Sequence, residues 1–267
     1  CQNSYSWWIT FMGSVNSVWR DSMKTTGKYI GINQRVPFDV IDAALYRLLR
    51  DQTIDKNLVI SHMKEFTKGE NRALKAAQFT VQVLTKQSQC ILHLKKSITA
   101  EVYIKLPSTD RKVIILSLVV LTYPIAYDLL ISLATGFKVQ SKINRKFINL
   151  KMAAIYGSNK SVGYALDALL QMVIELNTIE RAKVGLYELA PKRIINYPAI
   201  IELIIYIDIK LSGSKSILVD DLLYRPWYIY FEVAIGKKSF YTLFKYDESR
   251  IGQGYLTISN NANKVHK

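Results

Sequence analysis

The chain is short of cysteine, histidine and acid, and each shortage removes a class of function. Cys1 and Cys90 are its two cysteines. There is no CxxC and no Cys/His cluster, so a disulfide-stapled fold and a structural zinc site both lack their residues. Cys90 reads as a small core residue. His62, His93 and His266 are scattered and read as packing or surface groups, not as bases or ligands. Glycine-rich phosphate loops are missing, as are HExxH and GxSxG. The carboxylates form no DxD-like cluster, and the pair Asp220–Asp221 reads as a solvated helix start, so a metal-dependent nuclease lacks its usual ligands. The expectation is a protein that is not an enzyme and needs no cofactor, metal or small-molecule substrate.

What is present is cation. Thirty-six Lys and Arg face 21 Asp and Glu, for a net charge of +15 in 267 residues. That excess predicts a polyanionic partner, nucleic acid or an anionic membrane surface. A lysine- and isoleucine-rich background supplies part of it. The sharper feature is local: no acid lies between Glu70 and Glu101. The stretch reads as one helix to about Gln89. At roughly 100° per residue, Lys68, Asn71, Arg72, Lys75, Gln78, Gln82, Lys86 and Gln89 share one arc, and Leu74, Ala77, Val81 and Leu84 form the buried stripe. Solvated helices mix both signs of charge. A face of cations and carboxamides suits phosphates and base edges. The short helix ending at Phe66 and the turn Thr67–Lys68–Gly69 complete a helix-turn-helix pattern, behind a first helix over Phe38–Asp51.

A second basic module follows. Lys138–Lys151 carries Lys138, Lys142, Arg145, Lys146 and Lys151 without an acid. The turn Gly157–Ser158–Asn159 opens a long helix to about Glu180, with Val162, Leu166, Leu169, Val173 and Leu176 inward and Lys160, Tyr164, Asp167 and Gln171 outward. Ala182–Leu189 alternates as a strand, Ala190–Arg193 reads as a turn and Ile194–Tyr197 as its return, which makes a winged-helix pattern. Ser158, Asn159, Lys160, Ser161 and Tyr164 are then candidate base readers. Lys68, Arg72, Lys75, Lys86, Arg145, Lys146, Lys183, Lys192 and Arg193 are candidate phosphate contacts, with Arg181 as a further wing cation and Gln82 on the first basic face.

The strongest competing signal is Val113–Gly136, long enough to span a bilayer. Pro124 at its middle and Asp128 within it predict instead two core helices, about 108–122 and 124–136. A leading Cys would suit a mature lipoprotein, but Trp7, Trp8, Ile9 and Phe11 follow at once where a polar tether would stand; residues 5–20 read as an aromatic helix or arm. In the last third, Pro198–Leu211 and Ser216–Tyr224 read as apolar helices. Trp227–Ile235, Ser239–Tyr246 and Gly254–Ser259 read as an antiparallel meander whose aromatics pack a core or stack on bases.

The run TYPIAYDLLISLATGFKVQSKINRKFINLKMAAIYGSNKSVGYALDALLQMVIELNTIE, within a match spanning roughly 40–180, resembles the BrxA family of accessory proteins of the BREX phage-defence systems. The shared features are an apolar helix pair bearing an aromatic and an acid, a basic spacer, a polar turn (here Gly157–Ser161), and a long helix ending in a polar step (Asn177–Thr178). The resemblance implies a helical, helix-turn-helix-containing DNA-binding protein, not an enzyme, acting beside larger defence components. The tryptophan-rich start and the C-terminal meander lie beyond it.

Together these readings predict a mainly α protein with a small antiparallel β part in three regions: 1–106, 107–197 and 198–267. The expected partners are DNA, with RNA as a variant, and larger protein components. The expected location is cytoplasmic, with membrane anchoring as the weaker alternative.

Overall fold

The computed structural model describes residues 28–233, 243–248, 252 and 254–259. The tryptophan-rich segment 5–20 lies outside these residues. The fold is mainly helical with small sheets. Phe38–Asp51 (α1) buries Phe38, Val40, Ile41, Ala44, Leu45, Leu48 and Leu49 along one stripe. Asp55 caps Lys56–Phe66 (α2) by accepting from the backbone N–H groups of Asn57 and Leu58. Glu70–Thr85 (α3) packs against α2 across the Thr67–Gly69 turn.

The expected continuation of that helix to Gln89 fails. Gln87 leaves helical geometry at φ −105°, ψ 60°, and a separate helix, Ser88–Ser97 (α4), begins there. Thr99 then caps Ala100–Lys105 (α5). The buried stripe of α3 is also not the expected one. It is Ala73, Ala76, Ala77, Thr80, Val83 and Leu84, while Leu74 is exposed and Val81 half-buried. Small alanine side chains let the neighbouring helices approach closely, and that decides which face turns inward.

Ser108–Thr122 (α6) and Pro124–Phe137 (α7) fall where Pro124 placed them. Proline has no N–H for the preceding turn and starts a new helix instead, so the two axes diverge by 113°. Among the described residues no single helix is long and apolar enough to cross a membrane. Val113–Thr122 is wholly buried within the protein. Asp128, inside the apolar run, accepts from the Tyr156 hydroxyl at 2.7 Å and lies 3.5 Å from Lys28 Nζ.

The second module follows as Lys142–Asn144 (β1), Arg145–Tyr156 (α8), Lys160–Glu175 (α9), Ile179–Lys183 (β2) and Leu186–Leu189 (β3). The three strands form an antiparallel sheet in the order β1-β3-β2. Arg193–Ile195 (β4) was expected to return along the hairpin. It pairs instead, in parallel, with Phe231–Val233 (β6) from the C-terminal region.

Pro198–Leu211 (α10) is buried on every side from Ala199 to Ile209 and packs along α6 and α4, as an all-round apolar helix must. Its Asp208 is enclosed, accepts from the Tyr127 hydroxyl at 2.7 Å and pairs with Arg225. The expected helix over 216–224 is a strand, Ser216–Leu218 (β5), followed by a 3-10 segment, Val219–Tyr224. The expected strand from Trp227 begins as another 3-10 segment, Pro226–Tyr230, because Pro226 opens a turn. The meander is therefore rearranged: β5, Tyr255–Ile258 (β8) and Phe244–Asp247 (β7) form an antiparallel sheet in that order. Trp227, Tyr228, Tyr230, Phe231 and Phe244 are buried, and Trp227 lies within 5.2–6.3 Å of the Tyr127, Tyr230 and Phe231 rings. These aromatics serve packing, not base stacking; Phe240 and Tyr241 lie outside the described residues. Buried side chains from Ile32 to Leu256 form one continuous core.

Candidate nucleic-acid interface

The first basic face divides. Lys68, Asn71, Arg72, Lys75 and Gln78 are exposed on the α2–α3 turn and the first turns of α3. Further along the arc the two carboxamides are half-buried and used inside the protein, while Lys86 stays exposed. Gln82 is half-buried and accepts from the Tyr123 hydroxyl at 3.0 Å. Lys86 lies past the end of α3, donates to the Tyr29 hydroxyl at 3.3 Å and sits 5.1 Å from the centre of that ring. Gln89, on α4, accepts from the Tyr206 hydroxyl. Lys68, Arg72 and Lys75 are thus the exposed cations of α3 and its turn, with Lys86 exposed beyond them but laid over Tyr29.

The second module keeps more of its expected surface. Asn144 caps α8 by accepting from Phe147 N–H at 2.8 Å, and Asn159 caps α9 by accepting from Val162 N–H at 3.0 Å. The cap on α9 leaves Lys160 and Ser161 on its exposed first turn, with Tyr164 one turn on and 60% exposed. Helix α7 holds β1 at close range: a Cβ at Gly136 would come within 2.5 Å of Ile143 Cδ1 and push that side chain aside. The tight turn of the β2–β3 hairpin is Val184–Gly185, with Gly185 at φ +71° and Val184 96% exposed. Arg181 and Lys183 flank it and are exposed.

Three candidate cations stand elsewhere than expected, and one stands as expected. Arg145 is engaged by its own neighbours. It pairs with Asp167 on α9 at 2.9 Å, donates to Asn149 Oδ1 at 2.8 Å, and its backbone N–H reaches Gly185 O at 2.8 Å. It positions α8, α9 and the hairpin turn against one another. Arg193 is not a wing residue. It is 6% exposed, donates to Leu176 O and Thr178 Oγ1 at 3.0 and 3.1 Å, and lies 5.1 Å from the Phe231 ring centre. Burial lowers its pKa to about 10. With β4 paired to β6, Lys192 is an exposed residue before β4, not a hairpin cation. Lys146, on the first turn of α8, is exposed. Lys146, Lys160 and Lys183 have no ion-pair partner among the described residues.

Sequence reasoning missed β1, which at three residues has no readable alternation. It also missed Arg35, which pairs with Glu175 near the end of α9 at 3.0 Å and ties the segment before α1 to that helix. The consequence is a cleft of about 430 Å³ where the two modules meet. Asn33, Gln34, Phe66 and Arg72 line one side and Tyr164 and Asp167 the other. No group of three or more His, Cys, Asp or Glu able to hold a metal ion occurs among the described residues. Comparison with protein-family models, with curated proteins and with solved structures finds no match to this chain.

Proposed function

We propose that the chain is a DNA-binding protein without catalytic activity, whose principal contact surface is a winged-helix module made of α7, β1, α8, α9, β2 and β3. The observation that carries the reading is topological. The order helix, strand, two helices, two strands, with the first strand hydrogen-bonded to the third, is that of winged helices. In such modules the second of the paired helices enters the major groove by its N-terminal end, and the hairpin touches the backbone. Here that end presents Lys160, Ser161 and Tyr164, and the hairpin presents Arg181 and Lys183. No acid occurs from Leu129 to Leu166, so α8 and the first turns of α9 carry no negative charge to repel phosphate. Lys68 and Lys75 would clamp duplex phosphate from the first module.

If Lys146, Lys160, Arg181 and Lys183, with Lys68 and Lys75, each neutralise one phosphate, duplex affinity falls with salt at a log–log slope of roughly −5 to −6. Gel shifts with duplex DNA, single-stranded DNA and RNA at several salt concentrations test this. A flat salt response, or no duplex binding, would sink the reading, and preference for RNA would replace DNA by RNA. The likeness to BrxA carries the further proposal of a role beside larger phage-defence components in the cytoplasm. Leu223, Tyr224 and Tyr255, exposed in the C-terminal region, favour a protein partner there as a second role.

A further inference from the structure

The cleft between the two modules is too small for a duplex to enter, yet its walls have the chemistry of a nucleotide site. We infer that it binds one unpaired nucleotide of a DNA partner, its base stacked on Phe66 and its phosphate on Arg72. The inference rests on the DNA-binding reading above and assigns a separate task to a separate pocket.

Size comes first. A volume of about 430 Å³ falls within the roughly 300–1,000 Å³ of ordinary small-molecule sites. A duplex, whose major groove alone is about 12 Å across, cannot enter it. A single flipped-out or overhanging nucleotide can.

Next come the rings. Phe66, the last residue of α2, and Tyr164, on the outward face of α9, both line the cleft, and they are 47% and 60% exposed. Phe66 packs on one side against the His62 ring, at 5.6 Å between centroids, and leaves part of its surface open to the cleft. Every base has a π-face, so an exposed ring in a cleft takes any of them.

Polar groups complete the site. Arg72 has no ion-pair partner among the described residues and supplies a free guanidinium for one phosphate. The Asp167 side chain is 72% exposed, and Arg145 holds it from the far side at 2.9 Å. Its remaining lone pairs accept from the N–H groups of a base edge. Gln34 donates to Arg72 O at 2.7 Å, which fixes the segment before α1 against α3 and leaves its carbonyl for a base. One unpaired cation, beside Arg35 held by Glu175, and one fixed carboxylate suit a single nucleotide. They do not suit a continuous strand, which would need a basic track.

The test uses the full chain and a duplex of about 20 base pairs, either blunt or carrying one extra unpaired 2-aminopurine nucleotide. The unpaired nucleotide should tighten binding about tenfold, the worth of one base–aromatic stack, and 2-aminopurine emission should fall on binding. Phe66→Leu should abolish most of that gain while blunt-duplex affinity stays within about twofold, and Phe66→Tyr should restore it; Arg72→Gln should halve the gain or more. Tight blunt-duplex binding with no gain from the unpaired nucleotide and unchanged emission overturns the inference and leaves the DNA-binding reading standing. Absence of binding to either DNA overturns both. Loss of blunt-duplex affinity in folded Phe66→Leu would also overturn the inference, because Phe66 would then belong to the duplex contact.

Discussion

Replacing Lys146, Lys160 and Lys183 together by glutamate is expected to weaken duplex binding by two orders of magnitude or more near physiological salt. The three cations sit on the first turn of α8, the first turn of α9 and the hairpin, so one proposed surface holds all of them. Each lost phosphate contact removes about 0.9 from the log–log salt slope, so the slope should flatten by roughly 2.7 while thermal stability barely moves. All three side chains are exposed and lack ion-pair partners among the described residues, so nothing in the fold depends on them. Charge reversal at Lys68 and Lys75 should weaken binding less, because the first face has lost Gln82 to an internal contact and Lys86 is laid over the Tyr29 ring. Anisotropy titrations at three salt concentrations separate the two surfaces. Equal losses from both sets would mean that affinity follows net charge alone.

The opposite pattern is expected at Arg193. Its guanidinium is enclosed, satisfies the last carbonyl of the α9 region at Leu176, holds Thr178 Oγ1 and covers the Phe231 ring. Arg193→Ala removes two hydrogen bonds, orphans a buried carbonyl and leaves a void beside β4 and β6, at a cost of about 3 kcal/mol. For a chain of this length that is a fall in melting temperature of roughly 6–12 °C. Duplex affinity of the folded fraction and its salt slope should stay unchanged. A loss of salt slope without a loss of stability would put Arg193 on the interface after all.

Arg193 also shows what one sequence can and cannot disclose. Helices α1, α2, α6, α7 and the start of α9 were legible in local chemistry: Asp55 is a cap, Pro124 forces a restart, and four inward positions of α9 follow its period, whereas Asn159, expected to read bases, caps α9, which ends at Glu175 rather than about Glu180. The outward stripe of Lys160, Tyr164 and Asp167 was legible for the same reason. The break at Gln87 was not, because no proline or glycine marks it. The partner of β4 could not be read from its neighbours, since the strand that claims it begins 36 residues further on, at Phe231. A lysine or arginine near a hairpin reads as wing until the hairpin's own turn is located, and here Gly185 was the overlooked signal. The cleft beside Tyr164 could not be inferred, because it arises from the docking of two modules through Arg35 and Glu175.

The most direct test of the central claim is site-specific photo-crosslinking to duplex DNA, with a benzophenone side chain placed in turn at Val184, Lys160 and Tyr224. The first two mark the hairpin tip and the start of α9, and Tyr224 is equally open to solvent in the C-terminal region. A winged-helix contact predicts covalent DNA adducts from positions 184 and 160 that disappear at high salt, and none from 224. Adducts from 224 alone, or from none of the three under conditions where duplex is bound, would contradict it.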